Sequence, residues 1–132
     1  MAHILIIDDD DTVRTTFERF LERFGHSVSL AANGREGLRL LRKKKTDLVI
    51  TDIFMPEADG LEIILEIKKL YRKLSADIPI IAMSSGIRTT DQAPICFLKQ
   101  AKTFGAARVF SKPVDFNGIH SAIVELLSAE RA

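Results

Sequence analysis

Five residues of this 132-residue chain carry the chemical groups that bind a divalent cation and a phosphoryl group. They are two adjacent carboxylates, a third carboxylate, a hydroxyl and an ammonium, at Asp8, Asp9, Asp52, Ser84 and Lys112. Adjacent carboxylates repel each other, so each favours a shared proton or a cation, and oxygen ligands of this kind suit Mg²⁺. A carboxylate beside such a cation can attack phosphorus and form an acyl phosphate. The residue types therefore predict a site for phosphoryl transfer, provided that the fold brings them together.

The segments that precede these residues have the composition of strands buried on both faces of a parallel sheet. Five predicted strands alternate with helices, and they are Ile4–Ile7, His26–Ala31, Leu48–Thr51, Ile78–Met83 and Arg108–Ser111. The five predicted helices run from the acidic block Asp8–Asp11 to Phe24, from Asn33 to the basic block Arg42–Lys45, from Gly60 to Leu70, from about Pro94 to Phe104 and from about Phe116 to Ala129. This alternation predicts a doubly wound parallel α/β sheet with right-handed crossovers.

The predicted sheet gathers the candidate groups, because parallel strands place their carboxyl ends at one edge, where open α/β sheets bind ligands. A competing interpretation is that the early acids cap the next helix, where Asp is favoured. Asp10 or Asp11 fits that interpretation well. Asp8 and Asp9 are instead predicted to bind metal, because Asp52 arrives at the same edge.

The composition limits the classes of function that the chain can have. A length of 132 residues with 46% hydrophobic residues fits one folded domain. The formal net charge of +1 gives no reason to expect nucleic acid or an anionic membrane as partner. Cys96 is the single cysteine, which excludes an internal disulfide. With no apolar run of about 18 residues and no signal-peptide pattern, the protein is expected to be cytoplasmic.

Four segments resemble, in order and spacing, the receiver domain of two-component response regulators, and the resemblance covers essentially the whole chain. The matching segments are Ile4–Asp10, Thr51–Pro56 followed by Asp59-Gly60, Ile80–Ser84 and Ser111–Pro113. The resemblance implies a flavodoxin-like sheet with strand order 2-1-3-4-5. It also implies a single receiver domain over residues 1–132, with no output domain in this chain.

The resemblance implies a phosphorylation-dependent switch rather than an enzyme with its own substrate. Asp52 would take a phosphoryl group from a phosphohistidine of a sensor histidine kinase or of a phosphotransfer protein. Ser84 and Lys112 would hold the phosphoryl oxygens and couple phosphorylation to a change in the last strands and helices. Self-catalysed phosphotransfer and autodephosphorylation would be the only chemistry, and the downstream partner would be a protein that the sequence does not name.

The resemblance also implies the ligands of Mg²⁺. Asp9 and Asp52 would bind the cation directly, together with the backbone carbonyl of Phe54. Asp8 would act mainly through water.

The chain departs from the usual receiver pattern in three places. The usual switch aromatic lies three residues before the lysine, where this chain has Val109, and Phe110 comes one residue later. Phe54 and Gly86 occupy positions that in this family influence attack of water on the phosphoryl group, and bulky Phe54 is expected to slow that attack. The segment Gly86–Ala93 lengthens the span between hydroxyl and lysine, as a lid or docking element or as a tolerated insertion.

Two alternative functions remain open at the level of sequence. Asp8-x-Asp10-x-Thr12 after a strand also resembles the first motif of haloacid-dehalogenase-type phosphatases, with Asp8 as nucleophile and Asp10 as general acid. That family needs a further acidic pair after the lysine strand, which this chain lacks, and it leaves Asp52 unexplained. The other alternative is a receiver-like interaction module that is never phosphorylated.

Overall fold

In the computed structural model the described residues are 2–55, 58–84, 101–111 and 114–131; of residues 54, 55, 58–60 and 129–131 only the backbone is described. The strands in chain order are β1 His3–Ile7, β2 Ser27–Ala31, β3 Leu48–Asp52, β4 Phe54–Met55, β5 Ala58–Asp59, β6 Ile80–Ser84 and β7 Arg108–Ser111. The helices are α1 Asp11–Arg23, α2 Gly34–Lys43, α3 Gly60–Lys73, the helical residues 101–104 (α4) and α5 Phe116–Arg131.

The five longer strands form one parallel sheet in the order β2-β1-β3-β6-β7. Counting only these strands, the order is 2-1-3-4-5, which confirms the predicted doubly wound fold. The pair β4–β5 is an antiparallel two-stranded sheet just after β3, and it was not predicted. None of the described helices has the length and apolar character that a membrane span requires.

The core consists of two apolar layers, one on each face of the sheet, because successive side chains of a strand point to opposite faces. Ile4 and Ile6 lie in the layer covered by α1 and α5. Leu5 and Ile7 lie in the layer covered by α2 and α3. All four side chains are fully buried, as predicted for a strand with helices on both sides.

The helix ends follow the residues that the sequence indicated. Asp10 caps α1 by accepting from the Thr12 and Val13 amides, and Asn33 caps α2 by accepting from the Glu36 amide. Gly25, after α1, and Gly105, after α4, have φ angles of 86° and 130°, a region that only glycine adopts readily. These ends fix where each helix returns the chain to the sheet.

Several predicted boundaries were wrong by one to three residues, among them those of the fourth main strand and the last helix. The fourth main strand begins at Ile80 rather than Ile78 and includes Ser84. Pro79 has no amide hydrogen to donate to a ladder, although its carbonyl accepts from Val49 at 3.1 Å. The last helix extends to Arg131, two residues beyond the predicted end. Of the helix predicted near Pro94–Phe104, only residues 101–104 are described, and they are helical; the segment Gly86–Ala93 and Cys96 lie outside the described residues.

Candidate functional site

Three carboxylates converge at the carboxyl edge of the sheet. Side-chain oxygens of Asp8, Asp9 and Asp52 all lie within 4.8 Å of one another. Within the described residues, no other cluster of three or more His, Cys, Asp or Glu side chains is close enough to hold a metal ion. The convergence follows from the register, because Ile7 of β1 pairs with Thr51 of β3. Asp8 and Asp52 are therefore next to each other where two adjacent strands end, as the sequence predicted.

The three carboxylates differ in exposure. The side chains of Asp8 and Asp52 are 0% and 2% exposed, whereas Asp9 faces solvent. Burying carboxylates is costly unless they are paired, hydrogen-bonded or bound to a cation. A cation at this point would have buried ligands on the protein side and an exposed ligand toward solvent. Three carboxylate oxygens at this spacing fit a hard divalent cation, which prefers oxygen ligands and retains water.

The loop between β1 and α1 is held by main-chain and side-chain hydrogen bonds around Asp8. The Asp8 amide donates to the carbonyl of Ala31, at the end of β2, at 3.0 Å. The Asp8 carboxylate accepts from the Asp10 amide at 2.9 Å. The Asp8 carbonyl accepts from the guanidinium of Arg14 at 2.6 Å. Arg14 was not identified from the sequence, because nothing in its spacing marks it as a partner of the acids.

Ser84 places a hydroxyl at the same edge of the sheet. Asp52 pairs with Met83 across β3 and β6, so Ser84 follows one residue beyond that pair. Its side chain is 1% exposed, and among the described residues its Oγ has no hydrogen-bond partner. A buried hydroxyl without a partner is unfavourable, and such a group in a native structure calls for an explanation such as a catalytic role or a bound ion.

The remaining predicted site residues are only partly described. Lys112 lies outside the described residues, together with Pro113. The strand before it, β7, ends at Ser111, which pairs in register with Ser84. For Phe54 the backbone alone is described, in β4, where it pairs with Asp59. The roles assigned to Lys112 and to the Phe54 carbonyl stay predictions.

The two residues around the usual switch position point to opposite faces of the sheet. Val109 packs in the layer of α2 and α3, whereas Phe110 packs in the layer of α1 and α5. The Phe110 ring lies beside Gly118 of α5, where an added Cβ would be 3.5 Å from its Cε1. Phe110 therefore does not take the place of an aromatic residue at position 109.

The position of Asp10 argues against the phosphatase alternative. That mechanism needs Asp10 as a general acid beside the reacting phosphate. Instead, its Oδ1 accepts from the Thr12 amide at 2.8 Å and from the Val13 amide at 3.3 Å. The carboxylate is committed to the first turn of α1, which was the structural role predicted for Asp10 or Asp11.

The three histidines have no part in this site. His3 lies in β1, where its Nδ1 and Nε2 are 2.7 and 2.6 Å from the hydroxyls of Ser27 and Ser29. His26 Nδ1 accepts from the Ala2 amide, and the His120 ring stacks on Phe24 with centroids 3.8 Å apart. These packing roles agree with the scattered spacing of the histidines in the sequence.

Comparison with known proteins places this geometry in a family. Residues 4–124 match the family model for the response regulator receiver domain. Among curated proteins, the chain is 33% identical to the transcriptional regulatory protein GlrR of Escherichia coli K12, over 96% of this chain and 26% of that protein. It is 35% identical to the protein PilH of Pseudomonas aeruginosa, over 87% of this chain and 88% of that protein. The chain spans only about a quarter to about a third of the length of the first curated relatives that it matches.

A solved structure has the same fold over its whole length. It is a response regulator receiver domain protein from Clostridium thermocellum, with a TM-score of 0.85, 28% sequence identity and coverage of 99% of this chain and 98% of that one. Fold, family model and relatives agree. The chain belongs to the receiver domain family of two-component response regulators.

Proposed function

We propose that this receiver takes a phosphoryl group onto Asp52 from a phosphohistidine and thereby changes its affinity for a partner protein. The observation that carries the proposal is the convergence of Asp8, Asp9 and Asp52, with the buried hydroxyl of Ser84 at the same edge of the sheet. Receiver domains accept phosphoryl groups from histidine kinases or phosphotransfer proteins. A donor of this kind is therefore the proposed upstream partner.

The transfer is an in-line displacement at phosphorus. A carboxylate oxygen of Asp52 attacks the phosphorus, the new P–O bond forms, and the P–N bond breaks with its electron pair going to the imidazole nitrogen. Bound Mg²⁺ would supply a Lewis acid that offsets the charge of the phosphoryl oxygens. Asp9 and Asp52 would hold that cation directly and Asp8 mainly through water, which would place it beside the nucleophilic carboxylate. Hydrolysis reverses the modification, with water attacking phosphorus and returning the carboxylate and inorganic phosphate.

Ser84 and Lys112 are proposed to hold the transferred group. The Ser84 Oγ–H donates to a phosphoryl oxygen, which gives a partner to a hydroxyl that has none among the described residues. The Lys112 ammonium adds a compact positive charge. Phosphorylation adds about −1.5 to −2 units of charge and three acceptor oxygens. Such a change shifts a conformational equilibrium only if one conformation binds the new group better, and the contacts proposed for Ser84 and Lys112 would provide that difference.

The test is labelling with acetyl phosphate and Mg²⁺, followed by intact mass. We expect one phosphoryl group on the wild type, none on Asp52→Asn and none on the wild type in excess chelator. Asp77→Asn is the matched control, because Asp77 precedes β6 at the opposite edge of the sheet and should be labelled normally. An unlabelled wild type would support the unphosphorylated interaction module, and labelling that is lost in Asp8→Asn but kept in Asp52→Asn would support the phosphatase.

A further inference from the structure

Resting on the proposed function, we propose that Arg14 is a positioning residue for the cation site. Its guanidinium fixes the main chain of Asp8, so that the two early carboxylates already face Asp52 before a cation binds. Arg14 touches neither the phosphoryl group nor, by this proposal, the cation. It acts through the loop that carries two of the three ligands.

The contacts of Arg14 support this role. Its Nη1 donates to the Asp8 carbonyl at 2.6 Å, and charge-assisted bonds of this length are stronger than neutral ones. The backbone amide of Asp8 donates to the carbonyl of Ala31 at 3.0 Å. The main chain of Asp8 is therefore held from both sides, by the end of β2 and by the guanidinium. The Arg14 side chain is only 15% exposed, so it lies against the loop rather than in solvent.

Helix stability does not explain a cation at this position. Arg14 lies at the end of the first turn of α1, where positive charge opposes the helix dipole. It pairs with Asp11, three residues earlier, but that carboxylate is 89% exposed, and exposed pairs of this kind stabilise little. The bond to the Asp8 carbonyl, in contrast, accounts for the burial and the orientation of the guanidinium.

Positioning and simple charge predict opposite effects of Arg14→Met. If Arg14 acted only as a nearby positive charge, its removal would strengthen cation binding, since less charge would oppose the cation. If it positions the loop, its removal weakens binding, because the carboxylates must then be ordered at the moment of binding. Loss of an outer hydrogen bond to a metal ligand typically weakens affinity by about tenfold or more. The sign of the change therefore decides between the two roles.

The experiment is a Mg²⁺ titration of the full chain, followed by backbone amide chemical shifts in the absence of any phosphoryl donor. We expect the dissociation constant to rise about tenfold in Arg14→Met and to be largely restored in Arg14→Lys, which keeps a charged donor. Arg39→Met is the matched control, because Arg39 pairs with Glu36 at the same sequence spacing on α2 and is 56% exposed. Its dissociation constant should equal that of the wild type.

Thermal unfolding without Mg²⁺ separates positioning from loss of fold. Arg14→Gln serves as a second variant if Arg14→Met does not fold, since it removes the charge and ends two bonds short of the Arg14 nitrogen that bonds the Asp8 carbonyl. Positioning predicts weaker binding in it, and charge alone predicts tighter binding. Unchanged or tighter binding in the folded variant overturns the role of Arg14 and leaves the proposed function standing. Absence of Mg²⁺ binding to the wild type overturns both.

Discussion

Gly37 of α2 and Ile7 of β1 are in such close contact that a Cβ on Gly37 would lie 2.5 Å from Cδ1 of Ile7. Real Cβ atoms do not approach this closely, so any larger residue at position 37 would force the buried Ile7 side chain or the helix to shift. Ile7 is the residue directly before Asp8. The contact therefore connects the packing of α2 with the position of the first carboxylate.

We expect Gly37→Ala to lower the free energy of unfolding by about 1–2 kcal/mol. Overpacking typically costs about 1–3 kcal/mol, which exceeds the gain of up to about 1 kcal/mol that alanine brings to a helix. Urea denaturation measures the change. Gly118→Ala is the control, because its Cβ would meet the movable Asp115 carboxylate at 3.1 Å; equal effects of the two substitutions would refute the packing argument.

Ser84→Ala is expected to separate stability from phosphoryl transfer. Removing a buried hydroxyl that has no partner among the described residues should leave the free energy of unfolding unchanged or raise it, because an unsatisfied buried group costs about 1–3 kcal/mol. Labelling by acetyl phosphate should become slower, since one donor to the phosphoryl oxygens is lost. Urea denaturation and a labelling time course measure the two effects. Ser121→Ala, exposed on α5, should change neither, and a destabilised Ser84→Ala that labels at the normal rate would contradict the assigned role.

The stability of the unphosphorylated protein should fall as the pH drops below about 6.5. Burial and the nearby positive charge of Lys44 lower the pKa of His3, although Asp47 opposes them. Burial, the N-terminal amine and His120 lower the pKa of His26, again against Asp47. Because the unfolded chain then binds protons at a higher pH than the folded one, stability is complete above the unfolded pKa and is lost as the pH falls through the folded pKa.

Unfolding in urea between pH 7.5 and 5 tests this dependence. The double variant His3→Gln, His26→Gln should show a shallower fall in stability over that interval. A slope equal to that of the wild type would show that other groups control it.

Phe54→Asn should speed loss of the phosphoryl group from Asp52 severalfold. The resemblance to receiver domains implies that this position influences the attack of water, and a bulky apolar side chain is expected to slow that attack, whereas an amide side chain is expected to favour it. The decay of the phosphorylated species after removal of acetyl phosphate measures the rate by intact mass. Glu66→Gln, exposed on α3, is the control; a rate that is unchanged or lower in Phe54→Asn would rule out the shielding role.

The parts of the fold that depend on local sequence were predictable. Buried parallel strands such as Leu48–Asp52 begin with a continuous apolar run, and Asp10, Asn33 and Gly25 mark helix ends through their own backbone chemistry. The convergence of Asp8 and Asp52 was predictable too, because it requires only that two strands be parallel neighbours.

Features that depend on residues distant in sequence were not predictable. The bonds from His3 to Ser27 and Ser29 and the contact between Gly37 and Ile7 arise from the exact height and register at which elements pack. Arg14 was missed for a related reason, since a cation early in a helix gives no sign of which carbonyl it reaches. The pair β4–β5 has only two residues in each strand, too few for any periodicity.

The place of β7 at the margin of the sheet has an energetic consequence. It has a ladder to β6 alone within the five-stranded sheet, so displacing it breaks one set of interstrand bonds, whereas moving β3 would break two. Val109 and Phe110 extend from it into opposite layers. A small shift of β7 would therefore disturb the packing of helices on both faces of the sheet while breaking only one ladder, which makes it a route by which an event at the carboxyl edge alters both outer surfaces.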